Sequence, residues 1–558
     1  MSAATGYARR EKASSPAVKA RTPVYLWGPA ALVCLAALLP VIYLVVRTAG
    51  AGGDVWDLLL RARTAQILGR SALLAAAVTV FSTLVAVPAA WLTLRTDLPF
   101  RRALTVAAAL PLVVPSYVMA VTVIDAFGPH GLLQQLLEGP LGLQGLPEVY
   151  GLRGATLVIV LVSYPYVLLS VRGALRRIDP ALEEAARSLG LGPIATFRTV
   201  TLPLLRPAVA AGGLLAALYA LSDFGAVSLL RYETFTSAVF LQYESAFDRS
   251  LAASLALVLA VVAAMLLFTE AFMRGGAAYH RSSSGSPKAP AIASLGAWKW
   301  PAFAFVLVPV VTGLLVPLSV MGFWLTRGLA GGRETGPLLG PLVNSLYIAG
   351  LTAAVTLLAA SPVALLAVRH RSLFSLAVER VTYLGFGLPG IAVALSLVFF
   401  GVNVAHPLYQ TVALLVFACL VLFLPAAVGP LRSSLLQISP RVEEAAQSLG
   451  SRPARVALRV TAPLALPGAL SAAAMVFLLT MKELPATLIL SPVGFQTLAT
   501  NVWSSASEAL YSRAAAPALL LVVAAGIPTA YFVLRDPGRR SVQPLPGVIA
   551  PDGAEDME

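Results

Sequence analysis

The chain of 558 residues is 58% hydrophobic and only 12% charged, with a mean hydropathy of +0.82, far from the roughly quarter-charged balance of a soluble domain. Its net charge of +14 does not indicate nucleic acid, because the Arg residues lie in short loops between apolar runs and form no basic face with interleaved aromatics. Two cysteines, Cys34 and Cys419, both inside apolar runs, exclude a disulfide framework, and His130, His280, His370 and His406 show no ligand spacing, so no metal site is assigned.

Residues 1–23 carry Arg9, Arg10, Lys12, Lys19 and Arg21 ahead of an apolar run that lacks a small-residue cleavage site, which reads as a retained anchor. Runs of about 20 apolar residues, enough to cross about 30 Å of hydrocarbon, follow at 24–46, 69–94, 103–125, 155–175, 207–230, 251–273, 301–325, 343–368, 378–402, 408–430, 467–490 and 514–534. The expected fold is therefore an all-α, polytopic membrane protein of about twelve transmembrane helices. It divides into a basic tail (1–23), a first six-helix repeat (24–274), a Ser/Gly/Pro-rich linker (275–297), a second six-helix repeat (298–535) and a tail of disorder-like composition (536–558).

Alternate loops together with both tails hold 29 of the 40 Lys and Arg residues, so the positive-inside bias predicts cytoplasmic termini, with Arg61, Arg63 and Arg70 as outliers. A duplication explains the symmetry. Ser71 and Ser345, Pro88 and Pro362, Arg95 and Arg369, and Pro115 and Pro389 are each 274 apart. Pro165 and Pro425, Glu183 and Glu443, Gly190 and Gly450, and Pro203 and Pro463 are each 260 apart. The change of register falls in 126–152, where an additional short surface helix is expected, and the rest is expected to keep register. Six spans per repeat give the halves the same orientation, related by a pseudo-twofold axis along the membrane normal.

In each half the same loop, 180–207 and 440–467, begins with Pro, places a Glu pair in the first turn and ends at Gly and Pro, which predicts a short helix lying across the membrane surface and leading into the next span. The pattern Glu-Ala-Ala, three residues, Gly, nine residues, aliphatic, any residue, Leu-Pro resembles the signature loop of ATP-binding-cassette importer permeases. The first copy matches at Glu184, Ala185, Ala186, Gly190, Val200, Leu202 and Pro203, and the second at Glu444, Ala445, Ala446, Gly450, Val460 and Pro463, with Ala462 in place of Leu. The resemblance implies that these loops, with Glu183 and Glu443 beside them, form coupling surfaces that dock into a cytoplasmic ATPase. The chain itself has no phosphate-cradling Gly-x-x-x-x-Gly-Lys-Ser/Thr, so it is expected to be a channel subunit and not an enzyme. ATP and Mg would sit on two copies of a separate ATPase, with an extracytoplasmic substrate-binding protein as the other partner and one permease chain per complex.

After each loop, equivalent segments carry a carboxylate, Asp223 or Glu483, with Lys482 adjacent to the latter. Either these ionisable groups face a transport path, or they belong to a helix break with locally paired charges. Tyr243, Tyr232 and Asp125 are further path candidates. The fused two-copy layout looks most like ferric-iron importer permeases and less like fused thiamine permeases, and oxygen donors suit the hard Fe³⁺ ion. Thiamine or another small solute, or a major-facilitator-type secondary transporter, are the alternatives.

Overall fold

The computed structural model describes residues 24–50, 61–128, 131–134, 138, 148–176, 178–244, 249–274, 292–332, 336–370 and 372–534. The tails, 275–291 of the linker and most of the segment expected to carry the surface helix lie outside the described residues. Among those described, the chain is helical, with one isolated parallel bridge between Thr96 and Ala293. Helices dominate because hydrocarbon offers no partner to a free backbone N–H or C=O.

Among the described residues eight helices are long and apolar enough to cross a membrane, and a ninth, Arg101–Val113 with Ser116–Gln134, is bent by 99°. Shorter apolar helices at Leu251–Leu267, Gly390–Asn403 and Tyr511–Ile527 occupy the remaining three expected positions. The fold is thus the all-α polytopic one the sequence predicts. Besides the bend within 103–125 and the break before Gly390 within 378–402, two further spans divide into separate helices. Those placed at 207–230 and 467–490 end at Ser222 and Met481, and each is followed by a separate short helix, Gly225–Leu229 or Pro485–Leu490. Hydropathy alone could not see these breaks because the residues on either side are equally apolar.

The two helices with Pro165 and Pro425, Leu152–Leu175 and Val412–Gln437, form the centre, with 72% and 78% of their apolar windows buried against 28% for the first span of each half. The first spans are exchanged between halves. Ala30 and Val33 of Val24–Ala49 pack in a cluster with Val363, Val393 and Leu415, Tyr43 donates to the Phe399 carbonyl at 3.0 Å, and Trp27 stacks on Phe374 at 4.2 Å. Reciprocally, Val306, Val310, Val320 and Met321 pack with Val123 and Leu161 of the first half. With no hydrophobic gain from burial against a helix in place of lipid, such packing holds by close contact and hydrogen bonds.

The duplicated serines have matching tasks. Ser71 Oγ accepts from Phe235 N at 3.1 Å, and Ser345 Oγ accepts from Leu498 N at 2.8 Å. The serines are 274 apart but their partners are 263 apart, so the expectation of unbroken register fails by three residues. The extra residues lie in the turn between Leu490 and Leu498, where Gly494 takes φ +78°.

A further contact set involves the linker. The end of the linker is clipped to the loop after the second span: Asp97 N donates to Ala293 O at 3.2 Å, Asp97 Oδ1 accepts from Leu295 N at 2.9 Å, and Lys299 Nζ lies 3.3 Å from Asp97 Oδ2. The Leu295 N–H, and then Lys299, hold the Asp97 carboxyl below its ordinary value. A depressed carboxyl contributes above its unfolded pKa and is lost as pH falls through the folded one. Asp97→Ala is therefore expected to speed hydrogen exchange at Leu295 severalfold at pH 7 with little change in thermal stability, since the pair is partly exposed. In the unaltered chain, protection corrected for intrinsic exchange should fail only below the carboxylate range of about 4.

Candidate functional site

The predicted surface helices are present as Pro180–Ser188 and Pro440–Ser448. Pro at the first position pre-sets φ where no N–H is needed, and Asp179 Oδ1 accepts from Ala181 N at 3.0 Å to cap the first copy. Each ends in a left-handed glycine, Gly190 at φ +89° and Gly450 at φ +86°. The reversal is closed by Leu191 N to Ala186 O and Ser451 N to Ala446 O, both 3.2 Å, the six-to-one bond that stops a helix at a glycine. Gly190 and Gly450 thus set the direction in which the chain leaves the helix.

The paired glutamates divide the work. Glu183 turns inward: its Oε2 lies 3.4 Å from Arg95 Nε, its Oε1 accepts from Thr201 Oγ1 at 3.0 Å, and Arg95 Nη2 donates to the Leu175 carbonyl at 3.0 Å. In the second half Glu443 accepts from Arg369 Nη2 at 2.9 Å and Thr461 Oγ1 at 3.0 Å, and Arg369 also donates to Ile438 O at 3.0 Å. Each inner glutamate therefore joins the surface helix to the end of one span and the start of another. Glu444, Ala185, Ala445, Gly190 and Gly450 are exposed, Glu184 and Ala446 are half-buried, and Ala186 is buried. Leu189 and Leu449, at 85% and 88% exposure, put an apolar side chain at the same place on both loops, an arrangement suited to a protein partner.

The joint contains residues that the motif search did not assign. Arg95 and Arg369 served as markers of the repeat, and Thr201 and Thr461 were not singled out; their 274 and 260 spacings were the available signal. Both threonines close a π turn, Phe197–Thr201 and Ala457–Thr461, at the entry to the following span. Such turns often mark functional sites in helices.

Between the halves lies a cavity of about 190 Å³. Its lining includes Asp223, Lys482 and Glu483 together with Ser116, Tyr117 and Tyr219. Both carboxylates also hold the backbone at the breaks, Asp223 Oδ1 accepting from Ala226 N at 2.9 Å and Val227 N at 3.3 Å, and Glu483 Oε1 from Ala486 N at 3.1 Å. The alternatives of path and helix break are therefore not exclusive, since the same groups sit at a break and border the cavity. The pairing expected at the break is different, however: Lys482 Nζ donates across the halves to the Leu112 carbonyl at 3.1 Å. Close approach here needs glycine, because a Cβ on Gly390 would meet Glu483 Oε1 at 2.5 Å and one on Gly225 would meet Tyr117 Cβ at 2.7 Å.

The remaining candidates lie elsewhere. Tyr243 packs where the two apolar clusters meet and is absent from the cavity lining. Asp125 Oδ2 accepts from Trp324 Nε1 at 2.7 Å, and Tyr232 Oη donates to Arg70 O at 3.1 Å. Ser116, Tyr117, Tyr166 and Tyr219 border the cavity without having been singled out, because their apolar flanks resemble ordinary span sequence. Among the described residues no cluster of three His, Cys, Asp or Glu side chains could hold a metal ion.

The two glutamates of each pair should be separable by mutation. Removing Glu183 strands a buried guanidinium, a loss of about 3–5 kcal/mol for a buried pair. Glu183→Ala is expected to lower the unfolding temperature in detergent clearly more than Glu443→Ala, whose pair is 15% and 17% exposed against 5% and 7% for the first. Glu444→Ala, at an exposed position, should change it little.

Comparison with known proteins places this geometry. The profile of the binding-protein-dependent transport system inner membrane component matches residues 82–285 and 356–540, two stretches whose starts are 274 apart. An Fe(3+)-transport system permease protein, FbpB 2 of Haemophilus influenzae, is 35% identical over 519 residues, covering 92% of this chain and 98% of that protein. A ferric transport system permease protein FbpB of Actinobacillus pleuropneumoniae is 23% identical over 438 residues, 74% of this chain and 63% of its own length. A molybdenum transport system permease protein ModB of Mycobacterium tuberculosis is 32% identical over 250 residues, which is 44% of this chain and 91% of ModB. With two copies of the profile, two matched surface helices and a multi-pass helical fold, the chain belongs to the family of binding-protein-dependent transport system inner membrane components.

Proposed function

We propose that this chain is the complete membrane channel of an ATP-driven importer and that its cargo is ferric iron. The observation that carries the importer reading is the pair of surface helices, each jointed by a buried or half-buried Arg–Glu–Thr set to two spans and each ending in an exposed Leu-Gly. A displacement of either helix is transmitted to the membrane bundle through that joint. Support for the cargo is the ferric relative that matches nearly end to end, together with a cavity bordered by carboxylate and phenol oxygens, donors that suit a hard cation.

In this proposal one chain recruits two copies of a cytoplasmic ATPase, through Glu184, Ala185 and Gly190 on one side and Glu444, Ala445 and Gly450 on the other. ATP and Mg belong to those subunits, and an extracytoplasmic binding protein delivers the cargo. The surface helices, the linker 275–297 and the tails 1–23 and 536–558 lie in the cytoplasm, as the distribution of Lys and Arg favours. ATP-driven closure of the ATPase pair moves the joints, and the cavity alternates between the two sides of the membrane. The inner glutamates transmit force and the outer face binds.

The test is affinity purification in detergent from cells expressing the native operon. Two Walker-motif ATPase copies per chain are expected, with loss of more than tenfold on the double change Glu184→Arg and Glu444→Arg and no loss of folded chain. Transport that persists under a proton gradient with no ATPase bound would refute the proposal. Labelled Fe³⁺ uptake requiring ATP and the binding protein then tests the cargo, against thiamine as the competing solute.

A further inference from the structure

The cavity is not symmetric in charge. Asp223 and Glu483 occupy equivalent places, 260 apart, but the residue before each differs: Ser222 in the first half and Lys482 in the second, both bordering the cavity. Lys482 does not turn away to water. Its ammonium donates to the Leu112 carbonyl at 3.1 Å and stands 5.9 Å from the centre of the Tyr219 ring, both groups belonging to the opposite half. The acceptor is provided by the bend in the third span. Leu112 lies in the last turn before the break, and the residue three positions on is Pro115, which has no N–H to give it.

A site bordered by two carboxylates in a low-dielectric setting attracts any small cation of the medium. One tethered positive charge beside them changes that balance. It offsets part of the negative charge for a monovalent ion, whereas an ion of higher charge gains enough from the two carboxylates to displace it. The flexible stem of Lys allows such displacement, and its ammonium can return to the carbonyl afterwards.

We propose that Lys482 is a built-in surrogate cation: between transport events it holds the two halves together through the Leu112 carbonyl and keeps monovalent cations out of the cavity, yielding its place to a multivalent cargo. Displacement by cargo rests on the import of ferric iron proposed above; exclusion of monovalent ions does not. Lys482 is thereby a determinant of charge selectivity, acting from within the path.

Liposomes containing the complete complex of this chain, its ATPase and its binding protein, with a Na⁺-sensitive dye inside and no nucleotide, test the inference. Lys482→Gln keeps an N–H for the Leu112 carbonyl and removes the charge; it is expected to raise passive Na⁺ entry at least tenfold, as is Lys482→Met. Lys482→Arg should bring entry back to within about twofold of the unaltered complex. Adding Asp223→Asn and Glu483→Gln to Lys482→Gln should abolish the leak, because amide oxygens still accept from Ala226 and Ala486 while the attracting charge is gone. A Lys482→Gln complex that binds its ATPase and is as tight to Na⁺ as the unaltered one overturns the proposal. So does a leak that survives loss of both carboxylates, which would report damaged packing. Fe³⁺ uptake measured on the same vesicles after ATP is supplied to the ATPase side separates the two proposals: unaltered vesicles that exclude Na⁺ but import no Fe³⁺ even with ATP refute the cargo, while the leak ratios without nucleotide still decide the role of Lys482.

Discussion

Every interruption of a helix inside this bundle has to supply its own hydrogen-bond partners, and that requirement shapes the centre of the molecule. Hydrocarbon gives no help to a free N–H or C=O. The chain breaks at Pro115 and Pro389 and again after Ser222 and Met481. Where N–H groups are freed, Asp223 and Glu483 accept from them; where a carbonyl precedes Pro115, Lys482 donates to it. The polar groups that permit the breaks are the same groups that border the cavity, so architecture and cavity chemistry have one origin.

The surface helices are held to the bundle at matching points. Arg95 and Arg369 close their spans and reach both a backbone carbonyl and the inner glutamate of the neighbouring loop. Thr201 and Thr461 fasten the same glutamate from the far side. The first joint is the more deeply buried.

Much of this was legible in the sequence, for identifiable reasons. Span existence follows from apolar runs, and the duplication made each feature visible twice. The surface helices were readable because Pro, Glu pair and Gly each perform a local task at a fixed spacing. What escaped depended on contacts between distant residues. Nothing near Ser71 or Ser345 announces that each caps a helix more than 150 residues away. Hydropathy hides the helix breaks behind apolar flanks, and only the carboxylates Asp223 and Glu483 raise a break as one of two readings; Lys482 reads as the neighbour of Glu483 although its partner is on the opposite half. Tyr243, read from the sequence as a residue that could line a path, packs where the two apolar clusters meet.

The exchange of first spans bears on how such a chain came to be single. Each half leaves its opening helix lying on the other body, with Ala30 and Val33 in one core and Val320 and Met321 in the other. A half-length chain with this layout, comparable in extent to the ModB relative, would complete its core only by meeting a second copy, at a rate set by its abundance in the bilayer. Joining the two copies converts that encounter into an intramolecular event at high effective concentration. Within one chain the two halves also always meet in the same pairing, so an unpaired substitution such as Ser222 against Lys482 is held in every molecule.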